Sequence, residues 1–201
     1  MDSKKSQIIA AAVKRFGHFG YAKTTMNELA DDLGITKANL YYYYTDKMAL
    51  FTDVLEMLFE EVFNEEAQII DKYKKGFLKT LHEIIDHRAD HFRKYFALHS
   101  NLTENFDWMK GAETQKVFCV LHDRELDQAH RFFQRAVDFG ELKLAHPRES
   151  AEIFMDLMRS ISFFHKMKDM ISPIQNQEKI DEIVASQKKA IKFIFEGKLI
   201  K

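Results

Sequence analysis

The residues Thr24-Thr25-Met26-Asn27-Glu28-Leu29-Ala30-Asp31-Asp32-Leu33-Gly34-Ile35-Thr36-Lys37-Ala38-Asn39-Leu40-Tyr41-Tyr42-Tyr43-Tyr44-Thr45-Asp46-Lys47 read as two short helices joined by a tight turn. Thr25 followed three residues later by Glu28 is a capping box, which starts a helix at Met26. Leu29, Ala30 and Leu33 give that helix an apolar face at 3/4 spacing. Gly34 stands where the helix must stop, because only glycine enters the left-handed conformation beyond a helix end without a steric cost. Thr36 caps the next helix, with Leu40 and Tyr44 inward and one turn apart. Two short helices around a glycine turn are the helix-turn-helix signature. The second helix carries Lys37, Asn39, Tyr42 and Tyr43 outward, a face rich in donors and poor in acid.

The run from Phe16 to Leu50 closely resembles the N-terminal DNA-binding domain of TetR-family transcriptional repressors. The resemblance rests on Phe16-Gly17, Gly20-Tyr21, Thr24-Thr25, Leu29-Ala30, Gly34-Ile35-Thr36, Leu40 through Tyr44 and Asp46-Lys47, all in order and in register. It covers about the first quarter of the chain. Beyond it only length and helical habit are shared. Two positions depart from the family pattern: Tyr43 replaces the usual histidine and Tyr44 the usual buried phenylalanine. The first leaves a donor in place. The second puts a hydroxyl in the core, where it needs a partner.

Composition agrees with a helical chain, and its length suits either one domain or a small domain plus a larger one. Among 201 residues there are two prolines and seven glycines, too few for the turns of an all-β fold, and 46% are apolar, enough for a sizeable core. The formal net charge of -1 excludes a protein that coats nucleic acid by bulk charge, but local charge suffices for DNA binding. Up to residue 47, Lys4, Lys5, Lys14, Arg15, Lys23, Lys37 and Lys47 stand against Asp2, Glu28, Asp31, Asp32 and Asp46, a slightly basic balance. The single cysteine, Cys119, excludes an intramolecular disulfide and suits a reducing compartment. No apolar run is long enough for a membrane span or a convincing signal peptide, so a cytoplasmic protein is expected.

Helix 1 is expected from Ser3 to His18, with Ile8, Ala12, Phe16 and Phe19 as the roof over the helix-turn-helix pair, and Gly17 and Gly20 turning the chain. Asp46 caps a fourth helix whose stripe runs from Leu50 to Phe63, and Lys47 in its first turn opposes the helix dipole unless it faces a phosphate. With nothing rich in Pro, Gly or Ser between 45 and 75, that helix is expected to join the two domains rigidly. Further helices are expected at 77–100, within 101–111, at 113–139 up to Gly140, from Pro147 to Met170, and at 177–195. About nine helices result, all-α, and the resemblance implies that they form a three-helix domain at 1–47 and a ligand-sensing and dimerising body at 48–201.

On the recognition helix, Asn39 suits adenine N6/N7, Lys37 guanine O6/N7 and Ala38 a thymine methyl. Tyr41, Tyr42, Tyr43 and Lys47 suit phosphates, as do the hydroxyls and backbone N–H groups of Thr25 and Thr36, with Asn27 beside the first. Nine histidines raise the question of a metal, but His82-Glu83-Ile84-Ile85-Asp86-His87 misses the HExxH spacing by one residue, and neither metal nor cofactor is expected. Cys119, between Phe118 and Val120, reads as a core thiol. The resemblance implies an inducer pocket among the middle helices, for which Phe92, Phe96, Trp108, Met109, Phe118 and His122 are the candidates. The last two long helices offer Phe154, Leu157, Met158, Ile161 and Phe164, and Ile183, Ile191 and Ile194, as a homodimer interface.

The expected function is a DNA-binding transcriptional regulator, a homodimeric repressor released from a pseudo-palindromic operator by a small molecule. The alternative is a helical interaction adaptor that keeps the DNA-binding domain without ligand sensing. No nucleophile–base pair, Gly-rich loop or metal motif points to an enzyme.

Overall fold

The computed structural model describes residues 3–104, 111–171 and 178–200. They form α1 (Ser3–Phe19), α2 (Met26–Asp32), α3 (Lys37–Tyr43), α4 (Lys47–Lys72), α5 (Phe77–Lys94), α6 (Phe96–Glu104), α7 (Ala112–Asp138), α8 (Pro147–Ile171) and α9 (Glu178–Phe195). Apart from one antiparallel bridge between Leu142 and Leu199, the described residues hold no β-structure. The long helix expected at 77–100 is broken at Tyr95 into α5 and α6. The short helix expected within 101–111 falls largely outside the described residues.

Two compact units result, and they are not sequential halves. The first comprises Met1–Glu61 with Lys94–Val120, the second Val62–Arg93 with Leu121–Lys201, so α4 and α7 give residues to both. The cut at 47/48 suggested by the resemblance falls inside the first unit.

In the first unit, Ile8, Ala12 and Phe16 of α1 pack with Leu29 and Ala30 of α2, Leu40 of α3, Leu50, Phe51 and Val54 of α4, and Leu98 of α6. The Phe16 ring meets Phe51 edge-on at 5.7 Å. Gly17 does not turn the chain. It lies within α1, where a Cβ would touch the α6 backbone at Leu98 N, 3.5 Å away. Gly20, at φ +82°, makes the turn instead. Phe19 leaves the roof and is exposed, with the Arg15 guanidinium over its ring at 4.9 Å.

Tyr44 is buried, as its position one turn after Leu40 requires, although it already stands in extended backbone at the C-cap of α3. Its hydroxyl donates to Asp53 Oδ2 of α4 at 2.9 Å, and Lys5 Nζ of α1 sits 2.7 Å from the same oxygen. Burial, reinforced by Asp53, drives the Tyr44 pKa far above the usual tyrosine value, so the proton stays and the bond persists.

The core of the second unit contains a cluster of aromatic rings among aliphatic side chains. Phe77 stacks on Phe132 at 5.1 Å and meets Phe195 edge-on at 4.9 Å, while Phe133 packs on Phe154 at 5.4 Å. Here α8 and α9 pack against each other. Gln187 Nε2 donates to the Met158 carbonyl and to Ser162 Oγ, both at 3.2 Å, and His165 Nε2 is hydrogen-bonded to Ser186 Oγ at 3.0 Å.

Candidate nucleic-acid interface

The ends of α2 are closed by its own sequence. The Thr25 hydroxyl accepts the Glu28 N–H at 3.3 Å, and Glu28 Oε2 accepts both the Thr25 N–H and the Thr25 hydroxyl at 2.8 Å. At the other end Gly34 takes φ +62°, its N–H donating to Asp31 O while the Ile35 N–H donates to Ala30 O, both at 3.0 Å. This pair of bonds is a Schellman motif, and only a residue without Cβ adopts its central conformation freely. The chain then reverses into Thr36, whose Oγ1 accepts the Asn39 N–H at 3.2 Å and starts α3. Arg15 Nη2 and Nη1 tie α1 to this pair, reaching Glu28 at 2.9 Å and Asp32 at 2.7 Å and offsetting two of the acids of α2. Nothing in the local sequence pattern signals that role for Arg15.

Leu40 is fully buried and sets the phase of α3. With successive residues about 100° apart, Ala38 and Tyr42 fall about 160° from Leu40 and form the outermost ridge, flanked by Asn39 and Tyr41. Exposure agrees: Tyr42 is 85% exposed, and Lys37, Ala38, Asn39 and Tyr41 are also exposed. Tyr43 was expected outward but is half-buried against the core, its ring edge-on to Tyr42 at 5.3 Å. The Lys37 ammonium stands over the Tyr41 ring at 5.7 Å, held at the rim of the same face. A groove of about 340 Å³ separates the start of α2 from α3, lined by Thr24, Thr25, Met26, Asn27, Lys37, Tyr41, Thr45, Asp46 and Lys47.

Two expected phosphate donors are engaged elsewhere. The Thr25 hydroxyl proton is committed to Glu28. Lys47 Nζ donates to the Thr24 carbonyl at 2.7 Å and the Tyr21 carbonyl at 2.8 Å, and lies over the Tyr21 ring at 4.4 Å. Burial lowers its pKa, against a smaller opposing push from the Glu28 charge. This geometry answers why a lysine sits in the first turn of α4: it clamps the α1–α2 loop. Lys47→Met is therefore expected to destabilise the domain by about 1 kcal/mol. Urea unfolding measures the loss; unchanged stability with a shallower salt dependence of DNA binding would mean that Lys47 turns to phosphate.

The expected pocket residues that the structure describes come from both units. Phe96 and Phe118 belong to the first unit, where Phe118 meets Phe59 edge-on at 6.3 Å. Phe92 and His122 belong to the second, where His122 Nδ1 lies 2.9 Å from Arg159 Nη1. Trp108 and Met109 lie outside the described residues. Cys119, expected in the core, is exposed.

The expected dimer face is also redrawn. Phe154, Met158 and Ile191 are buried in the core of their own unit and cannot present an outer surface. Ile161, Ile183 and Ile194 are half-buried, and Leu157 and Phe164 are exposed. Among the described residues, the large outward apolar side chains of these helices are Ile153, Leu157, Phe163, Phe164 and Met167 of α8 and Phe193 of α9. Because α8 carries apolar residues on both sides, spacing alone did not separate its core face from its outer one.

Two capped helices around a glycine turn, the second presenting an exposed polar ridge, define a helix-turn-helix domain. Residues 8–54 match the model of the bacterial regulatory proteins of the tetR family, and the domain belongs to that family. The HTH-type transcriptional regulator RutR of Escherichia coli (strain K12) is 35% identical over 60 residues, covering 30% of this chain but only 28% of that protein. The uncharacterized HTH-type transcriptional regulator YhgD of Bacillus subtilis (strain 168) is 26% identical over 163 residues, 80% of this chain and 83% of its own. Among solved structures, a transcriptional regulator from Cytophaga hutchinsonii superposes with a TM-score of 0.84 at 26% identity, over 99% of this chain and 100% of its own. A putative transcriptional regulator from Saccharomonospora viridis, solved in complex with choline, shares the fold over the full length of both chains, with a TM-score of 0.74 at 12% identity.

Proposed function

We propose that the protein is a sequence-specific DNA-binding transcriptional regulator, acting as a homodimeric repressor that a small-molecule ligand releases from a pseudo-palindromic operator. The outer ridge of α3 carries this reading: exposed Ala38, Asn39 and Tyr42, with Lys37 and Tyr41 beside them, on a helix locked at both ends. Such a helix enters the major groove, where Asn39 suits adenine and Lys37 guanine, while Tyr42, at the crest of the ridge, has reach enough for a base edge or the backbone. A twofold protein reads two half-sites when its recognition helices lie about 34–36 Å apart, which requires a second copy. The exposed apolar side chains of α8 and α9 support a second copy there, since a contiguous apolar surface in water marks an interface. The choline complex of the S. viridis regulator shows a chain of this fold holding a small molecule, which supports a ligand for this one too.

Binding-site selection tests the reading. The wild type is expected to enrich a palindrome. Asn39→Ala and Lys37→Ala are expected to change base preference and to cost roughly 1–3 kcal/mol per lost contact. Weak binding without a preferred sequence would overturn the proposal.

A further inference from the structure

The outward face of α9 divides its charge by halves. Opposite the buried Ile180, Ile191 and Phe195, the side chains Glu178, Glu182, Ala185, Lys189 and Phe193 recur at helical spacing and are all exposed. The acids of this set lie in the N-terminal half and Lys189 in the C-terminal half, where Lys192 is exposed as well. Two neighbouring charges are engaged within the chain, Asp181 by Arg93, and Lys188 by both Asp86 carboxylate oxygens at 2.5 and 2.6 Å. Glu182 and Lys189 are left as the pair centred on the outer face, with the Glu182 carboxylate no nearer than 3.9 Å to His165 Nδ1.

An antiparallel twofold pairing of α9 with itself turns this division into complementarity. We infer that a second copy of this chain docks with its α9 antiparallel across Ala185, so that Glu182 faces Lys189 of the partner subunit twice about the axis. This inference rests on the dimer proposed above and specifies its register and its choice of partner. Three observations converge on it. The midpoint of Glu182 and Lys189 falls between Ala185 and Ser186, two small side chains that let helix axes approach closely. The His165–Ser186 hydrogen bond sets the level of that midpoint on α8, where Phe163 and Phe164 are 64% and 67% exposed. A register shifted by one turn, centred on Lys189, would bring Glu182 against Glu196 of the partner subunit and Lys189 against its own copy. That arrangement is repulsive at both positions, so the charges reject the alternative as well as favouring the match. Another regulator of the same fold without this arrangement would be a poorer partner.

Charge reversal tests the register. Sedimentation equilibrium at low salt should show that Glu182→Lys and Lys189→Glu each weaken the homodimer roughly tenfold, since two symmetric exposed pairs become repulsive. An equimolar mixture of the two variants should regain near-wild-type association, because every facing pair in the heterodimer is again opposite in sign. A chain carrying both reversals should regain it alone, and high salt should erase the differences. A mixture as weak as its components, with a double variant equally weak and native helical content throughout, would overturn the register while leaving the dimer standing. A wild type that sediments as a monomer would instead overturn the proposed dimer, and this inference with it.

Discussion

Replacing Arg88 with methionine is expected to destabilise the second unit by about 3 kcal/mol, near the lower end of the range for breaking a buried ion pair. The Arg88 guanidinium bridges two helices. Its Nε and Nη2 donate to the carboxylate of Glu66 on α4, the latter at 2.9 Å, and its Nη1 donates to Glu125 on α7 at 2.6 Å. Glu125 has a second partner in Arg159 of α8, whose Nη2 donates to it at 2.5 Å. Glu66 is the vulnerable member. Its side chain is 1% exposed, and Arg88 is the cation that meets it. Arg88 itself is partly open to solvent, so water can enter the gap in the variant, which holds the expected loss near 3 kcal/mol. Burial pushes the Glu125 pKa up, but Arg88 and Arg159 together outweigh it and hold the group below its ordinary value. The stability this contributes is present above the pKa of a free glutamate, about 4.3, and is lost as pH falls through the lower folded value. The variant should behave differently. Without Arg88 the Glu125 carboxyl loses one of the two cations that hold its pKa down and takes up a proton more readily, so the deficit of Arg88→Met should shrink as pH falls from neutral. Urea unfolding at several pH values checks both statements. Adding Glu66→Leu should recover most of the loss, because an apolar pair of similar bulk leaves no uncompensated charge.

The contrast between this network and the helix-turn-helix stretch shows what a sequence discloses. Thr25 with Glu28, Gly34, Thr36 and Asp46 act on backbone groups within a few residues of themselves: Asp46 Oδ1 accepts the Ala49 N–H at 2.8 Å, just where an N-cap should. Such bonds depend on local geometry alone, so the bounds of α2 and α3 and the burial of Tyr44 were legible. Glu66, Arg88 and Glu125 are separated by 22 and 37 residues, and no periodicity announces that they meet. The carbonyl partners of Lys47 are hidden for the same reason, since they lie 23 and 26 residues away. The break at Tyr95 is hidden in the sequence because the apolar pattern continues through it. The Tyr95 hydroxyl donates to Glu61 Oε2 at 2.6 Å, a tertiary contact at the break that no local signal encodes. On α9 the apolar residues span a wide arc, so the depth of Ile191 against the exposure of Phe193 is decided only by the helices packed on it.

Glu141 follows the same logic at the far end of α7, and Glu141→Gln is expected to destabilise the second unit by about 2 kcal/mol at neutral pH, because hydrogen bonds to a carboxylate are roughly twice as strong as neutral ones. The end of α7 was legible: Gly140 takes φ +69°, its N–H donates to Val137 O, and the Glu141 N–H donates to Ala136 O, a second Schellman motif. That turn aims the Glu141 side chain at a helix start 65 residues earlier. Its carboxylate accepts the Gly76 N–H, the Phe77 N–H and the Tyr73 hydroxyl, each at 2.8 Å. A carboxylate from one loop thus caps α5, where unpaired N–H groups and the helix dipole favour negative charge. Burial opposes the charged form, but the bonds from Gly76, Tyr73 and Phe77 outweigh it and hold the Glu141 pKa below the usual carboxylate range. A depressed folded pKa contributes stability that is present above the unfolded value and is lost as pH falls through the folded one. The wild type should therefore lose stability between about pH 5 and pH 3 more steeply than Glu141→Gln. The two curves should converge at low pH, where a protonated glutamate and a glutamine offer α5 similar acceptors. Parallel curves with a constant gap would mean that the amide fails by shape and that the charge of Glu141 contributes nothing to the cap.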